Sequence, residues 1–183
     1  MKTALTLIDI QNDYFPGGRK PLEDSQEASR QAARLLDHFR SRSLPIAHIM
    51  HIAASPQATF FLPDTPGIQI HAAVAPLAGE FVVMKHSPNS FLDTSLLDFL
   101  RELEVERLVA AGMMTHMCVD ATVRAACDLG FEIWLAQDAC ASRDLVFQGE
   151  TIPAACVQNA FLAALQSAYA SVMPTSEILE KLE

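Results

Sequence analysis

The chain alternates between short, nearly continuous apolar runs and longer stretches whose apolar residues recur every three or four positions. Ala4–Ile10, Ile46–Ile52, Phe81–Met84, Glu106–Ala111, Phe131–Ala136 and Ser171–Met173 are of the first kind. So few polar interruptions suit strands covered on both faces, as in a parallel sheet between helical layers. Asp24–Ser43 is of the second kind: Ala28, Ala32, Leu35, Leu36 and Phe39 keep helical spacing among Arg, Gln and Glu, until Pro45 stops the pattern. A cap at Asp93 or Thr94 predicts a helix through Leu103, with Leu96, Leu97 and Leu100 inward. Another helix leaves Gly112–Arg124 and ends at Gly130; one starts at Thr151, takes Pro153 in its first turn and runs to about Tyr169; Thr175 caps the last. Two stretches are irregular. Ala53–Glu80, broken by Pro56, Pro63, Pro66 and Pro76, predicts a long loop that closes over a site or meets another subunit, with Phe60–Phe61 as its aromatic pair. Asp138–Glu150 reads as a polar connection in which Phe147 reaches a neighbouring pocket.

Strand and helix alternate throughout, so the expectation is a single α/β domain over residues 1–183, a doubly wound parallel sheet in three α/β/α layers. Half the residues are hydrophobic, enough for one substantial core. A formal charge of -9 argues against nucleic acid as a partner, and there is neither a Gly-x-Gly-x-x-Gly nor a phosphate-binding loop. No apolar run approaches the roughly 20 residues that cross a bilayer. Asp9 interrupts what would be a secretory start, and the four cysteines show no Cys-x-x-Cys spacing, so a reducing cytoplasm is the expected compartment.

Three chemically capable residues stand where strands end. Asp9 lies in the polar end of the first run, Lys85 follows Phe81–Met84, and Cys118 sits in Gly112–Arg124, where a strand hands over to a helix. Open parallel sheets form their sites at that edge, facing helix N-termini. Free N–H groups at a helix start favour a thiolate, so Cys118 is the candidate nucleophile with a lowered pKa. Iodoacetamide is expected to label it ahead of Cys127, Cys140 and Cys156. Each residue also has an ordinary reading: Cys118 as a small buried side chain, Asp9 as a cap on the Gln11–Asp13 turn, Lys85 as a solvated strand end. The residues alone leave both readings open. Cys127 falls on the opposite face of its helix and cannot partner Cys118. His48 and His51, three apart on a strand, point to opposite faces and cannot both ligate one metal.

The segment GMMTHMCVDATVRAACDLG, residues 112–130, resembles the nucleophile region of the isochorismatase-like cysteine hydrolases. Leu7–Phe15 resembles that family's first strand and acidic residue, and Val82–His86 followed by Ser90–Phe91 resembles its lysine strand; the likeness spans about Ala4 to Tyr169. The resemblance implies a six-stranded sheet in the order 3-2-1-4-5-6. It also implies a catalytic set of Asp9, Lys85 and Cys118, in which the carboxylate takes the thiol proton and the ammonium favours both anions. A cis peptide between Met113 and Met114 is implied, with the N–H groups of Met114 and Cys118 as an oxyanion hole.

The reaction so implied is hydrolysis of a small amide, imide or carbamoyl substrate through a thioester, without a cofactor. The alternatives are isochorismatase-type vinyl-ether hydrolysis, which protonates a carbon and needs no thiolate, and a non-catalytic binding or assembly role. Phe15, Phe60, Thr115, His116 and Phe147 are expected to line the substrate site. No metal is expected, because nicotinamidases of the family hold theirs with an Asp-x-His pair and Ile49 stands two residues before His51. Relatives are commonly dimers or larger, so a homodimer or higher homo-oligomer is expected.

Overall fold

The computed structural model describes all 183 residues. Five parallel strands, β1 (Thr3–Ile8), β2 (Ile46–His51), β3 (Phe81–Lys85), β4 (Arg107–Met113) and β5 (Glu132–Ala141), share one sheet. The first four α-helices are α1 (Ser25–Ser41), α2 (Leu96–Glu102), α3 (Asp120–Asp128) and α4 (Ala154–Ala168). A hairpin of β6 (Leu145–Phe147) and β7 (Glu150–Ile152) precedes α4; β8 (Ser171–Met173) and α5 (Thr175–Lys181) follow it. The sheet runs β3-β2-β1-β4-β5-β8, all parallel, with helices on both faces.

The central strand shows why its sequence reads as an unbroken apolar run. Leu5 and Leu7 pack in one core with Leu35 and Phe39 of α1 and Ile178 of α5, while Ala4 and Ile8 pack in another with Leu96 of α2 and Val123 of α3. Alternate side chains face opposite layers, and both layers are apolar. β4 lies so close to β1 at Gly112 that a Cβ there would stand 2.1 Å from the Ile8 carbonyl oxygen, at a φ of 149°. Only glycine fits.

The expected order holds for six strands, with an addition between the fifth and the last. Asp138–Glu150 is not a polar connection: its first residues continue β5 to Ala141, with a register shift against β4 between Ala110 and Gly112, and its later ones form the β6–β7 hairpin. Gln148 and Gly149 turn that hairpin at φ 52° and 85°, the two positive values a two-residue turn of this hand requires. Asp138 is polar inside a strand because it begins α5, accepting the Thr175 N–H at 2.8 Å and the Thr175 hydroxyl at 2.7 Å. The helix expected from Thr151 starts at Ala154, once β7 and Pro153 are passed. The helix expected from Asp93 or Thr94 starts at Leu96, whose N–H the Thr94 hydroxyl accepts at 3.3 Å.

The 53–80 segment has little regular structure, and buried polar side chains hold it. Asp13 Oδ2 accepts the Phe61 N–H at 2.6 Å and Oδ1 accepts that of Arg19 at 3.2 Å. Gln11 Nε2 donates to the carbonyls of His51 and Ile68 at 2.9 and 2.8 Å, and its Oε1 accepts the His51 N–H at 2.8 Å. At the far end, Glu80 takes a two-pronged ion pair from Arg40 at 2.7 and 2.8 Å, and sits 2.9 Å from His48 Nε2.

The Arg40 hydrogen bonds, helped by the Leu77 N–H and His48, hold the Glu80 carboxyl down at about 2. A carboxyl whose folded pKa lies below its unfolded value stabilises the fold above the unfolded value, near 4.5, and loses that contribution as pH falls toward about 2. Glu80→Gln is therefore expected to cost about 1–2 kcal/mol at neutral pH and to flatten the stability profile between those limits. Urea unfolding at several pH values checks this; an unchanged acid limb in the variant contradicts it.

Candidate active site

Four neighbouring strands each bring one chemically capable group to the same sheet edge. Lys85 ends β3, His51 ends β2, Asp9 directly follows β1, and Cys118 lies in the turn after β4. Parallel register sets His51 beside Lys85. Asp9 adopts a left-handed φ of 51° as the chain leaves the sheet, its N–H held by the Ile49 carbonyl at 3.1 Å.

The Asp9 and Lys85 side chains are both 0% exposed, with Nζ 2.7 Å from Oδ2. Nζ also donates to the carbonyls of Ser87 at 3.0 Å and Pro88 at 3.2 Å, and lies 3.1 Å from His51 Nδ1. An ammonium so far from water is tolerable only with its charge paired and its donors filled. Since lysine donates, His51 Nδ1 is assigned as acceptor and the ring proton to Nε2. Asp9 Oδ1 is buried and has no hydrogen-bond partner within the chain.

Cys118 occupies a π-helical turn, Thr115–Val119, between β4 and α3, rather than the first turn of an α-helix. The Met113–Met114 peptide that enters this turn is cis. The Cys118 sulfur is 3.8 Å from His51 Nδ1, and one ligand atom from each of Asp9, His51 and Cys118 lies within 4.8 Å of the others. The expected lowering of the thiol pKa is not found. Burial pushes it well above the ordinary range, the Asp9 charge adds to the rise, and Lys85 offsets only part of it. Cys118 sits in a π-helical turn rather than at an α-helix start, and burial and the Asp9 charge outweigh what Lys85 offers. Burial and the Asp9 charge thus favour the thiol over the thiolate.

The same donors raise the question of a metal. Lys85, 2.7 Å from Asp9 and 3.1 Å from His51, already places a positive charge among them. A divalent ion bound there would face that ammonium at contact distance. The set does not fit a resident metal.

The five expected lining residues divide. Thr115 is fully buried and donates to the Ala141 carbonyl at 3.2 Å. His116 is buried, with Nδ1 2.9 Å from the Ser142 hydroxyl. Phe15 is buried against His71, ring on ring at 3.6 Å, and Phe60 packs on Tyr14. Phe147 is 66% exposed on the hairpin, so it reaches no pocket of its own chain. His51 and Tyr14 were missed. The ring of buried Phe61 stands 5.8 Å from His51 and 4.7 Å from that of Tyr14. The Tyr14 hydroxyl is pushed well above its usual pKa by burial and then by Cys118 and Asp9, which places it in the field of that pair. The sequence shows His51 only as a histidine near the end of the Ile46–Ile52 run, weighed as a metal ligand and set aside; nothing in the spacing marks Tyr14.

Comparison with known proteins gives concordant matches. A family model described as the isochorismatase domain matches residues 3–176. The uncharacterized isochorismatase family protein YddQ of Bacillus subtilis is 47% identical over 180 residues, 98% of this chain and 100% of that protein. Streptothricin hydrolase of Streptomyces noursei is 33% identical over 86% of this chain and 57% of its own. Nicotinamidase of Escherichia coli is 27% identical over 75% of this chain and 82% of its own. A solved structure from Oleispira antarctica, provisionally assigned as an isochorismatase hydrolase, superposes with a TM-score of 0.93 at 48% identity, covering 98% of this chain and 96% of that one.

The burial of Cys118 reverses the expected order of alkylation. Cys156 is exposed on α4, whereas Cys118 and Cys140 are buried. Iodoacetamide near neutral pH is expected to modify Cys156 first and Cys118 several-fold more slowly. Peptide mapping over time checks this; Cys118 reacting first would restore the low-pKa thiolate.

Proposed function

Because the chain belongs to the isochorismatase family of hydrolases, we propose that it hydrolyses the C–N bond of a small amide, imide or carbamoyl compound, with Cys118 as nucleophile and Asp9 as proton carrier. The observation that carries this reading is the fully buried Asp9–Lys85 pair at 2.7 Å, with an Asp9 carboxylate oxygen and the Cys118 sulfur within 4.8 Å of each other. A carboxylate in that position has one open acceptor and a thiol close by.

The steps follow from those contacts. As substrate binds, Asp9 takes the thiol proton while sulfur bonds to the carbonyl carbon, and the negative charge moves to the carbonyl oxygen. Two donors support the oxyanion: the Cys118 N–H and the Met114 N–H, the second of which has no acceptor within the chain. The C–N bond then breaks, Asp9 returns its proton to the departing nitrogen, and a thioester remains. Water adds to that thioester, giving a proton to Asp9; the C–S bond breaks, the carboxylic acid leaves, and the proton returns to sulfur. Lys85, 2.7 Å from Asp9, balances the negative charge as it passes among carboxylate, sulfur and oxyanion. The nicotinamidase relative acts on an amide, which agrees with this bond class.

Acid quenching during turnover of a small-amide panel, followed by intact-protein mass measurement, is expected to trap an acyl group on Cys118. Cys118→Ser is expected to lose the adduct and at least about 10³-fold in rate, and Asp9→Asn a comparable factor. Turnover at the wild-type rate by Cys118→Ser would exclude the thioester route.

A further inference from the structure

His51 is a polar side chain of the site to which the steps above give no task. Its neighbours are shut off from solvent: the Asp9 and Lys85 side chains are 0% exposed and Cys118 is 4% exposed, whereas the His51 side chain keeps 17%. Of these four groups, the imidazole is the one that an entering molecule can touch from outside. Its place is also fixed from several directions. Gln11, itself 0% exposed, accepts the His51 N–H at 2.8 Å and donates to the His51 carbonyl at 2.9 Å, while the buried Phe61 ring flanks the imidazole at 5.8 Å. A side chain held so firmly at the edge of a reactive group is suited to binding a partner in one orientation.

Counting protons separates the two ring nitrogens. An ammonium has three donors, and Asp9 Oδ2 at 2.7 Å with the carbonyls of Ser87 at 3.0 Å and Pro88 at 3.2 Å already occupies three, so Lys85 does not need the histidine. Nδ1 nevertheless lies 3.1 Å from Nζ and 3.8 Å from the Cys118 sulfur, two groups that can donate to it. The one acceptor nearby, Asp9 Oδ2, is 3.8 Å away, beyond hydrogen-bond reach. A hydrogen on Nδ1 would point into an ammonium, so the ring proton belongs on Nε2. Nε2 has no hydrogen-bond partner within the chain, and it is not among the buried atoms. An open N–H donor is therefore presented on the accessible side of the ring, one ring-width from the nucleophile.

We propose that His51 contacts the substrate, its Nε2–H binding a second carbonyl oxygen next to the scissile bond, and that the substrate is accordingly an imide, an acylurea or an α-keto amide rather than a simple amide. Reach sets the position of that oxygen. With Nδ1 only 3.8 Å from sulfur, an acceptor held by Nε2 at about 2.9 Å is a close neighbour of the carbon that sulfur attacks, not a remote substituent. The reacting carbonyl oxygen has its own two donors in the N–H groups of Met114 and Cys118, which leaves the imidazole for another oxygen. Charge sets its kind: a carboxylate there would stand beside Asp9 and a sulfur that becomes negative, so a neutral carbonyl is favoured. A site built to hydrogen-bond one substrate oxygen discriminates against analogues that lack it, because its donor is then left unpaired. The inference rests on the amide-hydrolase reading for the position of the reacting carbonyl, but its test does not depend on turnover.

The probes are pairs of similar shape with and without the second oxygen: diacetamide and acetylurea against N-isopropylacetamide, succinimide against 2-pyrrolidinone, and pyruvamide against isobutyramide. Binding to the full-length Cys118→Ser protein is measured by calorimetry. At least one compound with the second carbonyl is expected to bind roughly tenfold or more tightly than its partner. In that background His51→Gln, whose longer side chain can offer an amide N–H where Nε2 stood, is expected to keep part of the preference, and His51→Asn, which reaches only as far as Nδ1, to lose it. A ring that served only to pack beside Lys85 would give the opposite order. Nitrogen-15 spectra of the wild type near neutral pH are expected to show the His51 ring proton on Nε2. Thermal melts of each variant separate loss of binding from loss of fold. Equal affinity within every pair, no binding across the panel, a preference that survives His51→Asn, or a ring proton on Nδ1 would overturn the proposal. A His51-dependent preference without an acyl adduct in the acid-quench experiment would leave the contact standing and remove the thioester reading instead.

Discussion

A carboxylate and an ammonium, both without solvent exposure and 2.7 Å apart, stand at the centre of this molecule. Neither is tolerable in that place alone, because an unpaired ion of either sign costs several kcal/mol in a water-free setting. Their pairing fixes the relation of β1 to β3 across the intervening β2, and the two carbonyls of Ser87 and Pro88 complete the lysine's shell. The same pairing leaves Asp9 Oδ1 as an open acceptor in a dry site. The burial that makes the pair demanding also raises the Cys118 thiol above its usual range. A buried thiol beside a buried carboxylate is a pair between which a proton can pass, and the proposed chemistry uses that pair.

The fold delivers these groups by simple means. Each of four adjacent parallel strands ends in, or just before, one of them, so the site is a line across the sheet edge rather than a cluster gathered by loops. The close approach of β4 to β1 at Gly112 sets where the Cys118 turn begins. The long 53–80 segment supplies the wall of the site through Phe61, and it is held in place by Asp13 and Gln11 from the loop after β1. Residues immediately following the first strand thus do two jobs, chemistry at Asp9 and anchorage at Gln11 and Asp13.

Strands such as Thr3–Ile8 were legible because burial on both faces removes polar residues from the sequence, and α1 was legible because burial on one face leaves a helical stripe. The β6–β7 hairpin was not, because its strands are exposed and carry no hydrophobic alternation, and its turn begins with Gln148 rather than Asn or Asp. Asp9, Lys85 and Cys118 stood out as polar residues at strand ends, yet only the family resemblance joined them. His51 could not be added from sequence, since its place beside Lys85 depends on the register of β2 against β3. The direction of the Cys118 shift differs from the expectation for a related reason. A helix start is a local feature, whereas the burial and the Asp9 charge that overcome it come from distant parts of the chain.

The central claim is that Cys118 rests as a thiol and is ionised by Asp9 only as it reacts. Thiolate absorbance near 240 nm, titrated in the wild type and in Cys118→Ala, gives the Cys118 ionisation by difference. The account predicts no Cys118 thiolate between pH 6 and about 8.5, the range in which an ordinary or activated cysteine ionises. A difference signal that titrates within or below that range would show a pre-formed thiolate and contradict it.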